Sequence, residues 1–252
     1  NLMRLGDYEH RLAFSAEFRS YDNKGVRPVG GTIQLVPDVT VRPVGVTYAG
    51  SLRKQDSETS FSVGASQNLE GGYDGSSEVF CQVGLRNNGL GQCASARYEI
   101  WRWTFNHNHA LPEDFQLRLG LSGQETKDML VPGELFGVGG ADSVRGFAER
   151  EVADDKGVRG TLELYTPDFG GKTGFSNARA RALTFLDWAR LRRNLPGPAD
   201  FHYQSIGSAG IGLRFSKGTN MAFRVDYGVV LDEGAGHTTG SGRLHASFSY
   251  IF

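Results

Sequence analysis

The last ten residues, RLHASFSYIF (243–252), divide cleanly in an extended chain. Leu244, Ala246, Phe248, Tyr250 and Phe252 fall on one side, and Arg243, His245, Ser247 and Ser249 on the other. That two-residue period constrains the fold more than any other feature, because it returns along the whole chain. MAFRVDYGVVL (221–231) separates Met221, Phe223, Val225, Tyr227, Val229 and Leu231 from Arg224 and Asp226. FQLRLGLSGQ (115–124) separates Phe115, Leu117, Leu119 and Leu121 from Gln116 and Arg118. EIWRWTF aligns Trp101, Trp103 and Phe105, and RLAFSAEF aligns Leu12, Phe14, Ala16 and Phe18. The pattern predicts about ten strands, near residues 9–20, 38–49, 58–70, 97–107, 115–125, 158–166, 179–190, 205–217, 220–231 and 242–252.

Several of these segments approach 11 residues, whereas strands of soluble domains average about 5 to 6. Strands that cross a bilayer at a tilt need about 9 to 11. The connections alternate in length: LPED and KGTN are tight, while 21–37, 70–96 and 126–157 are long, and every long one falls on the side away from the C-terminus. Bulky Trp and Phe sit near strand ends, as they do in interfacial girdles. The expectation is all-β, a transmembrane antiparallel β-barrel. A soluble β-sandwich or jelly roll alternates in the same way and is the competing architecture. Arg42 and Pro43 disturb the alternation of the second strand, at an outer rim or a bulge.

Composition agrees with a turn-rich β protein: 35 glycines stand against 8 prolines in 252 residues. The formal net charge of -1 gives no electrostatic reason to expect a nucleic-acid partner. No apolar run approaches the roughly 18 to 20 residues of a membrane-crossing helix.

Three motifs in order add a family likeness. LVPGELFGVGGADSVRGFAEREVADDKG (130–157), GTLELYTPDFG (160–170) and ARALTFLDWARL (180–191) resemble two-partner secretion transporters of the FhaC and haemolysin-activator type, which share a superfamily with the BamA insertases. VPDVTVRPVGVTYAG (36–50) and YEIWRWTFNHNHALPEDFQLRLGLSGQ (98–124) extend the resemblance over essentially the whole chain. The resemblance implies a sixteen-stranded barrel preceded by two periplasmic POTRA domains, of which residues 1–252 hold the last ten strands. The POTRA domains and first strands are expected to be absent from this sequence. It further implies the outer membrane of a Gram-negative bacterium, a secreted exoprotein as substrate, outer-membrane lipids as surroundings and the barrel assembly machinery as a partner during biogenesis. A BamA-like assembly or insertase role, and a passive porin, are the alternatives.

In that family the long loop, here 126–157, folds back into the lumen. Its tip is Val144, Arg145, Gly146 and Phe147. By resemblance Arg145 meets Asp187 in FLDWA, which matches the family's Phe-x-Asp-x-Gly strand motif from Phe185 onward, except that Ala189 stands where the family has glycine. Glu163 points inward on the neighbouring strand and is expected to share the guanidinium. Arginine suits the role because its planar fork accepts a carboxylate through two bonds and remains charged where water is scarce.

The predicted inner faces carry Arg118, Arg181, Arg214, Arg224 and Arg243 against Glu17, Glu163, Asp187 and Asp226. Such a mixed wall suits a polypeptide of varied sequence better than one ion of fixed sign, although a porin mixes charges too. Cys81 and Cys93, an even count in an oxidising compartment, are expected to form a disulfide that stabilises the external segment by about 3 kcal/mol. No metal site is expected, because the cysteines lack a second ligand pair at zinc spacing. No cofactor is implied. The six histidines assemble with no Gly-x-Ser-x-Gly elbow, so the chain is not expected to be an enzyme. Phe252, by resemblance to outer-membrane proteins generally, belongs to a C-terminal sorting signal.

Overall fold

The structure, a computed structural model, describes residues 6–22, 38–82, 92–197, 201–232, 234 and 238–251. In chain order its strands are β1 (Tyr8–Ala16), β2 (Arg19–Tyr21), β3 (Val39–Val41), β4 (Pro43–Arg53), β5 (Ser57–Asn68), β6 (Glu99–Ala110), β7 (Gln116–Glu125), β8 (Phe136–Val138), β9 (Val152–Asp154), β10 (Lys156–Tyr165), β11 (Ala178–Arg192), β12 (Tyr203–Lys217), β13 (Met221–Asp232) and β14 (Gly242–Tyr250). Among the described residues one α-helix, α1 (Ser77–Gln82), lies between β5 and β6.

Ten of these strands form one antiparallel sheet in the order β1-β4-β5-β6-β7-β10-β11-β12-β13-β14. Each strand pairs with its neighbour in sequence once the short strands are set aside. This is the up-and-down arrangement of a barrel wall. The turns at 54–56, 111–115 and 218–220 and the 166–177 connection lie along one edge. The segments after β1, β5, β7, β11 and β13 lie along the other. Two further hairpins stand apart from the sheet, β2 with β3 and β8 with β9.

The sheet is inverted relative to a soluble protein. Leu162, Leu164, Leu186, Trp188, Ile211, Tyr227, Leu244 and Phe248 are all exposed, whereas Asp187, Ser208 and Asp226 are fully buried. Register explains why the exposed residues form a band: Leu119, Leu162, Leu186, Ala209 and Val229 are successive cross-strand partners. A band of large apolar side chains on the outside, with polar and charged groups gathered within, suits hydrocarbon rather than water. The packed interior expected of a sandwich is not formed by these faces.

Two strand assignments move. The expected second strand, 38–49, is interrupted at Arg42 and its sheet portion runs from Pro43 to Arg53. Proline has no N–H for the ladder and so begins the strand. The Arg42 N–H instead donates to Asn68 Oδ1 at 2.6 Å, and its guanidinium bonds the Gly71 carbonyl. The expected first strand, 9–20, ends in the sheet at Ala16, and Arg19–Tyr21 turn away to pair with Val39–Val41.

Buried apolar packing among the described residues falls into two larger clusters and a small one of Tyr165, Leu183 and Phe185. One, at the long-loop edge, joins Val39, Val41, Val79, Phe80, Ala94, Ala96, Tyr98, Ile100, Leu130 and Val131. It knits three separate loop segments into a small dome. The other seats Val138, Val144, Phe147 and Val152 of the 126–155 segment against Ala189, Leu191, Ile206 and Val230 of β11, β12 and β13.

Candidate functional site: a loop docked on the inner wall

The 126–155 segment turns back onto the polar face of the sheet. Gly139, Gly140 and Gly146 all adopt positive φ, at 106°, 98° and 96°. An L-residue reaches that region only at a cost, so glycine is what lets the chain reverse twice within a few residues. At Gly146 the reversal coincides with a close approach. A Cβ on the facing Gly228 of β13 would lie 2.7 Å from the Gly146 nitrogen and 2.8 Å from the Arg145 carbonyl carbon. Two glycines, one on the loop and one on the wall, make the seat.

Arg145 fills that seat and is 3% exposed. Its Nε donates to Asp187 Oδ2 at 2.7 Å and Nη2 to Asp187 Oδ1 at 2.8 Å, a two-pronged pair. The backbone N–H of Arg145 donates to the same carboxylate at 3.1 Å. Nη1 reaches Glu163 Oε1 at 2.6 Å, and Nη2 reaches the Thr161 hydroxyl at 3.1 Å. The guanidinium lies over Phe185, with its central carbon 3.5 Å from the ring centroid. Register puts these groups together: Thr161 pairs with Asp187 and Glu163 with Phe185 across β10 and β11. Strict alternation on β11 sends Leu186 and Trp188 to the opposite face.

Sequence reasoning named Arg145, Asp187, Glu163 and Phe185, and the structure brings all four into contact. Val144 and Phe147, flanking them, are fully buried in the loop-to-wall cluster. Ala189 turns its methyl into the same cluster. Three other participants were not assigned to this site from the sequence. Asp226 Oδ1 lies 3.5 Å from Arg145 Nη1, 81 residues away in the chain, and also binds Arg214 at 2.9 Å. Its other oxygen binds Arg224 Nε at 2.8 Å. His245 Nε2 accepts the Gly146 N–H at 3.1 Å. Thr161 donates to Asp187 Oδ1 at 2.5 Å. Three carboxylates thus face three guanidinium groups, so the buried charge is locally neutral. The inward alternation of β13 and β14 was the available signal, but it marks every second residue alike.

A second contact holds the loop tip laterally: Arg224 Nη1 bonds Asp142 Oδ1 at 2.6 Å, and Nη2 bonds the Ala141 carbonyl. Of the other expected lumen charges, Arg181 grips Asp114 at the short-turn edge with contacts of 2.7 and 2.8 Å. That pair, with the Asp168 N–H, holds the Asp114 carboxyl below its ordinary range. Glu17 lies 3.3 Å from Arg19. In the dome, Cys81 and Cys93 are joined as a disulfide. Glu70 accepts from the Ser77 N–H and from Arg97 Nε, and hydrogen bonding to the Ser77 side chain first, then to its N–H and to Arg97, pulls its pKa down to about 2. Phe252 lies outside the described residues.

Residues 47–215 match the family model described as haemolysin secretion/activation protein ShlB/FhaC/HecB. Among solved structures, CdiB from Escherichia coli superposes on the whole chain with a TM-score of 0.74 at 15% identity, and the match covers 43% of that protein. CdiB from Acinetobacter baumannii matches 99% of the chain with a TM-score of 0.69 at 16% identity, over 40% of its own length. BamA from Haemophilus ducreyi lacking POTRA domains 1-3 matches 98% of the chain with a TM-score of 0.62 at 15% identity, over 52% of its length. The chain therefore spans about half or less of each of these proteins. At such identities the likeness speaks for the fold. No curated protein sequence matches the chain.

Proposed function

Because the chain belongs to the haemolysin secretion/activation family ShlB/FhaC/HecB, a family of outer-membrane transporters rather than enzymes, we propose that it forms the C-terminal wall of a pore for one secreted partner protein. The partner enters unfolded from the periplasm and threads the lumen in extended form. Residues 126–157 close that lumen at rest and leave it during passage. Folding of the partner outside the cell, rather than a nucleotide, supplies the drive.

The observation that carries this reading is the Arg145 seat. Beside its apolar contacts, the loop tip rests on a guanidinium shared by Asp187, Glu163 and Asp226, with Glu163 open on one side to the lumen. The polar part of that contact can be exchanged for bonds to water or to a passing polar chain.

On this reading the site residues divide the work. Arg145 and Asp187 form the clasp, Glu163 is its exchangeable partner, and Phe185 is the platform. Val144 and Phe147 seal the loop against the wall, while Gly146 permits the turn. The test is partner secretion in cells carrying Arg145→Ala or Asp187→Ala, with barrel insertion checked separately by heat-modifiable gel mobility. Secretion is expected to fall while insertion holds. Normal secretion by both inserted variants refutes the loop's role. Depletion of the protein separates transport from general assembly: loss of one exoprotein supports the reading, and loss of many barrels supports an insertase.

A further inference from the structure

The roots of the loop are fastened quite differently from its tip. Glu134, at the start of the segment, has a fully buried side chain. Its carboxylate accepts the Tyr21 hydroxyl at 2.7 Å, lies 2.9 Å from Arg19 Nη1 and lies 3.3 Å from Arg102 Nη2. Those donors come from β2 and from β6, two elements remote in sequence. Burial and the Glu134 bond together push the Tyr21 pKa up to about 12, so the hydroxyl stays a donor. Gln124 on β7 then bridges both arms of the loop. Its amide nitrogen donates to the Glu134 carbonyl at 3.0 Å and to the Asp155 carbonyl at 2.8 Å, while its oxygen accepts from Arg102 Nε at 2.8 Å. Asp155 is itself fully buried, accepting the Leu130 N–H at 2.8 Å and the Asn194 N–H at 2.8 Å. Leu130 and Val131 belong to the dome cluster.

We propose that Glu134 is a positioning residue: it fixes the loop's roots, residues 130–135 and Asp155, as a stationary frame continuous with the dome, so that only the plug between them leaves the lumen. This rests on the reading that the loop moves during transport, and adds where the moving part ends. The physical ground is the difference in surroundings. The Glu134 carboxylate has no exposure and takes donors from β2 and β6, while Gln124 ties both arms of the loop to β7, so the roots cannot part without breaking up the network that joins them to the dome. The Arg145 seat, with the partly open Glu163 beside it, joins the tip to the wall alone. Release at the tip therefore precedes release at the roots, and the β8–β9 hairpin pivots on Glu134 and Asp155.

Thiol labelling in outer-membrane preparations tests this, since Cys81 and Cys93 are paired and free cysteines are lacking among the described residues. Val131→Cys reports the frame and Val144→Cys reports the plug, both at buried positions. Maleimide labelling of Val144→Cys is expected to accelerate about tenfold or more with Arg145→Ala, while Val131→Cys stays slow. Conversely, Glu134→Gln is expected to accelerate Val131→Cys about tenfold and leave Val144→Cys slow. That split is one that general unfolding does not produce. Tyr21→Phe, which deletes one hydroxyl and keeps the carboxylate, is expected to raise Val131→Cys labelling severalfold, and it answers the question if Glu134→Gln fails to insert. Glu134→Asp is expected to restore slow labelling in part. The frame is overturned if Arg145→Ala exposes Val131→Cys together with Val144→Cys, or if Val131→Cys stays protected in every Glu134 and Tyr21 variant. An unresponsive Val144→Cys in Arg145→Ala sinks the release reading instead, and the Glu134 variants still decide the frame.

Discussion

Replacing Arg145 by alanine removes the two-pronged bond to Asp187, the Glu163 and Thr161 contacts and the stack on Phe185, and leaves Asp187 buried without its counter-charge. Breaking a buried pair from one side typically costs about 3 to 5 kcal/mol, reduced where water can reach the survivor. At 1.4 kcal/mol per factor of ten, the docked-to-undocked ratio of the plug should fall by about two to three and a half orders of magnitude. The readout is hydrogen exchange at the loop tip. The Arg145 and Gly146 amides donate to Asp187 and His245 in the docked state and lose both acceptors on release. Arg145→Lys keeps the charge but not the fork, and should lose about 1.5 to 3 kcal/mol. Adding Asp187→Asn to Arg145→Ala removes the stranded charge, so the double variant should open less than the two single effects summed. Tip amides that exchange at the parental rate in Arg145→Ala, or effects of the two substitutions that simply add, would refute the argument that this pair holds the plug.

Three further expectations concern the surroundings. Gly228→Ala should unseat the tip with all charges intact, because the new methyl meets loop backbone at 2.7 and 2.8 Å; raised entry of large antibiotics with normal barrel insertion is the check. Reducing Cys81–Cys93, or replacing both residues by serine, should destabilise the α1 region by about 3 kcal/mol, seen as faster proteolysis within 69–98 and unchanged tip exchange. The Glu70 carboxyl, held near 2 against an ordinary 4.5, favours the folded dome fully above the higher value and loses that contribution as pH falls toward the lower one. Pepsin cleavage of the dome should therefore rise across that window, and Glu70→Gln should abolish the dependence.

The strands were legible because a wall between lipid and lumen imposes opposite demands on successive residues, and Leu186, Asp187 and Trp188 display this within three positions. What the alternation could not show are strands too short to have a period. Arg19–Tyr21, Val39–Val41, Phe136–Val138 and Val152–Asp154 are three residues each, and each is fixed by its partner rather than by its own sequence. For the same reason the second strand was placed five residues early: Val39 and Val41 alternate as a wall strand would, and only the pairing with β2 reveals that they do not belong to the wall. At the site, Arg145, Asp187, Glu163 and Phe185 were legible through motif order. Asp226, His245 and Gly228 were not, because what brings them to the loop is the curvature of the sheet, and one inward residue looks like another. Glu134 had no signal at all in the sequence, since a glutamate in a loop ordinarily faces water.

Along β11, Phe185 and Asp187 lie on the short-turn side of Ala189 and Leu191, which carry the apolar part of the contact. The plug is thus fastened by charge at its deeper end and by hydrocarbon toward the outside. For a chain arriving from the periplasm under the proposed route, the first obstacle is the pair of groups most able to trade partners. Its own charged and amide groups can replace Glu163 or Asp226 on Arg145 while the Val138, Val144, Phe147 and Val152 cluster still covers the wall. The reverse arrangement would require apolar surface to be wetted before any compensating bond could form, at roughly 25 cal/mol per Å² exposed. Placing the exchangeable contact at the entry side therefore lowers the barrier to opening from within. From outside, a solute meets the dome and the Glu134 frame first, where the carboxylate is fully buried and bound to both β2 and β6. The same loop can consequently be difficult to displace from the cell surface and yielding to a polypeptide from the periplasm, by the order in which its contacts are encountered.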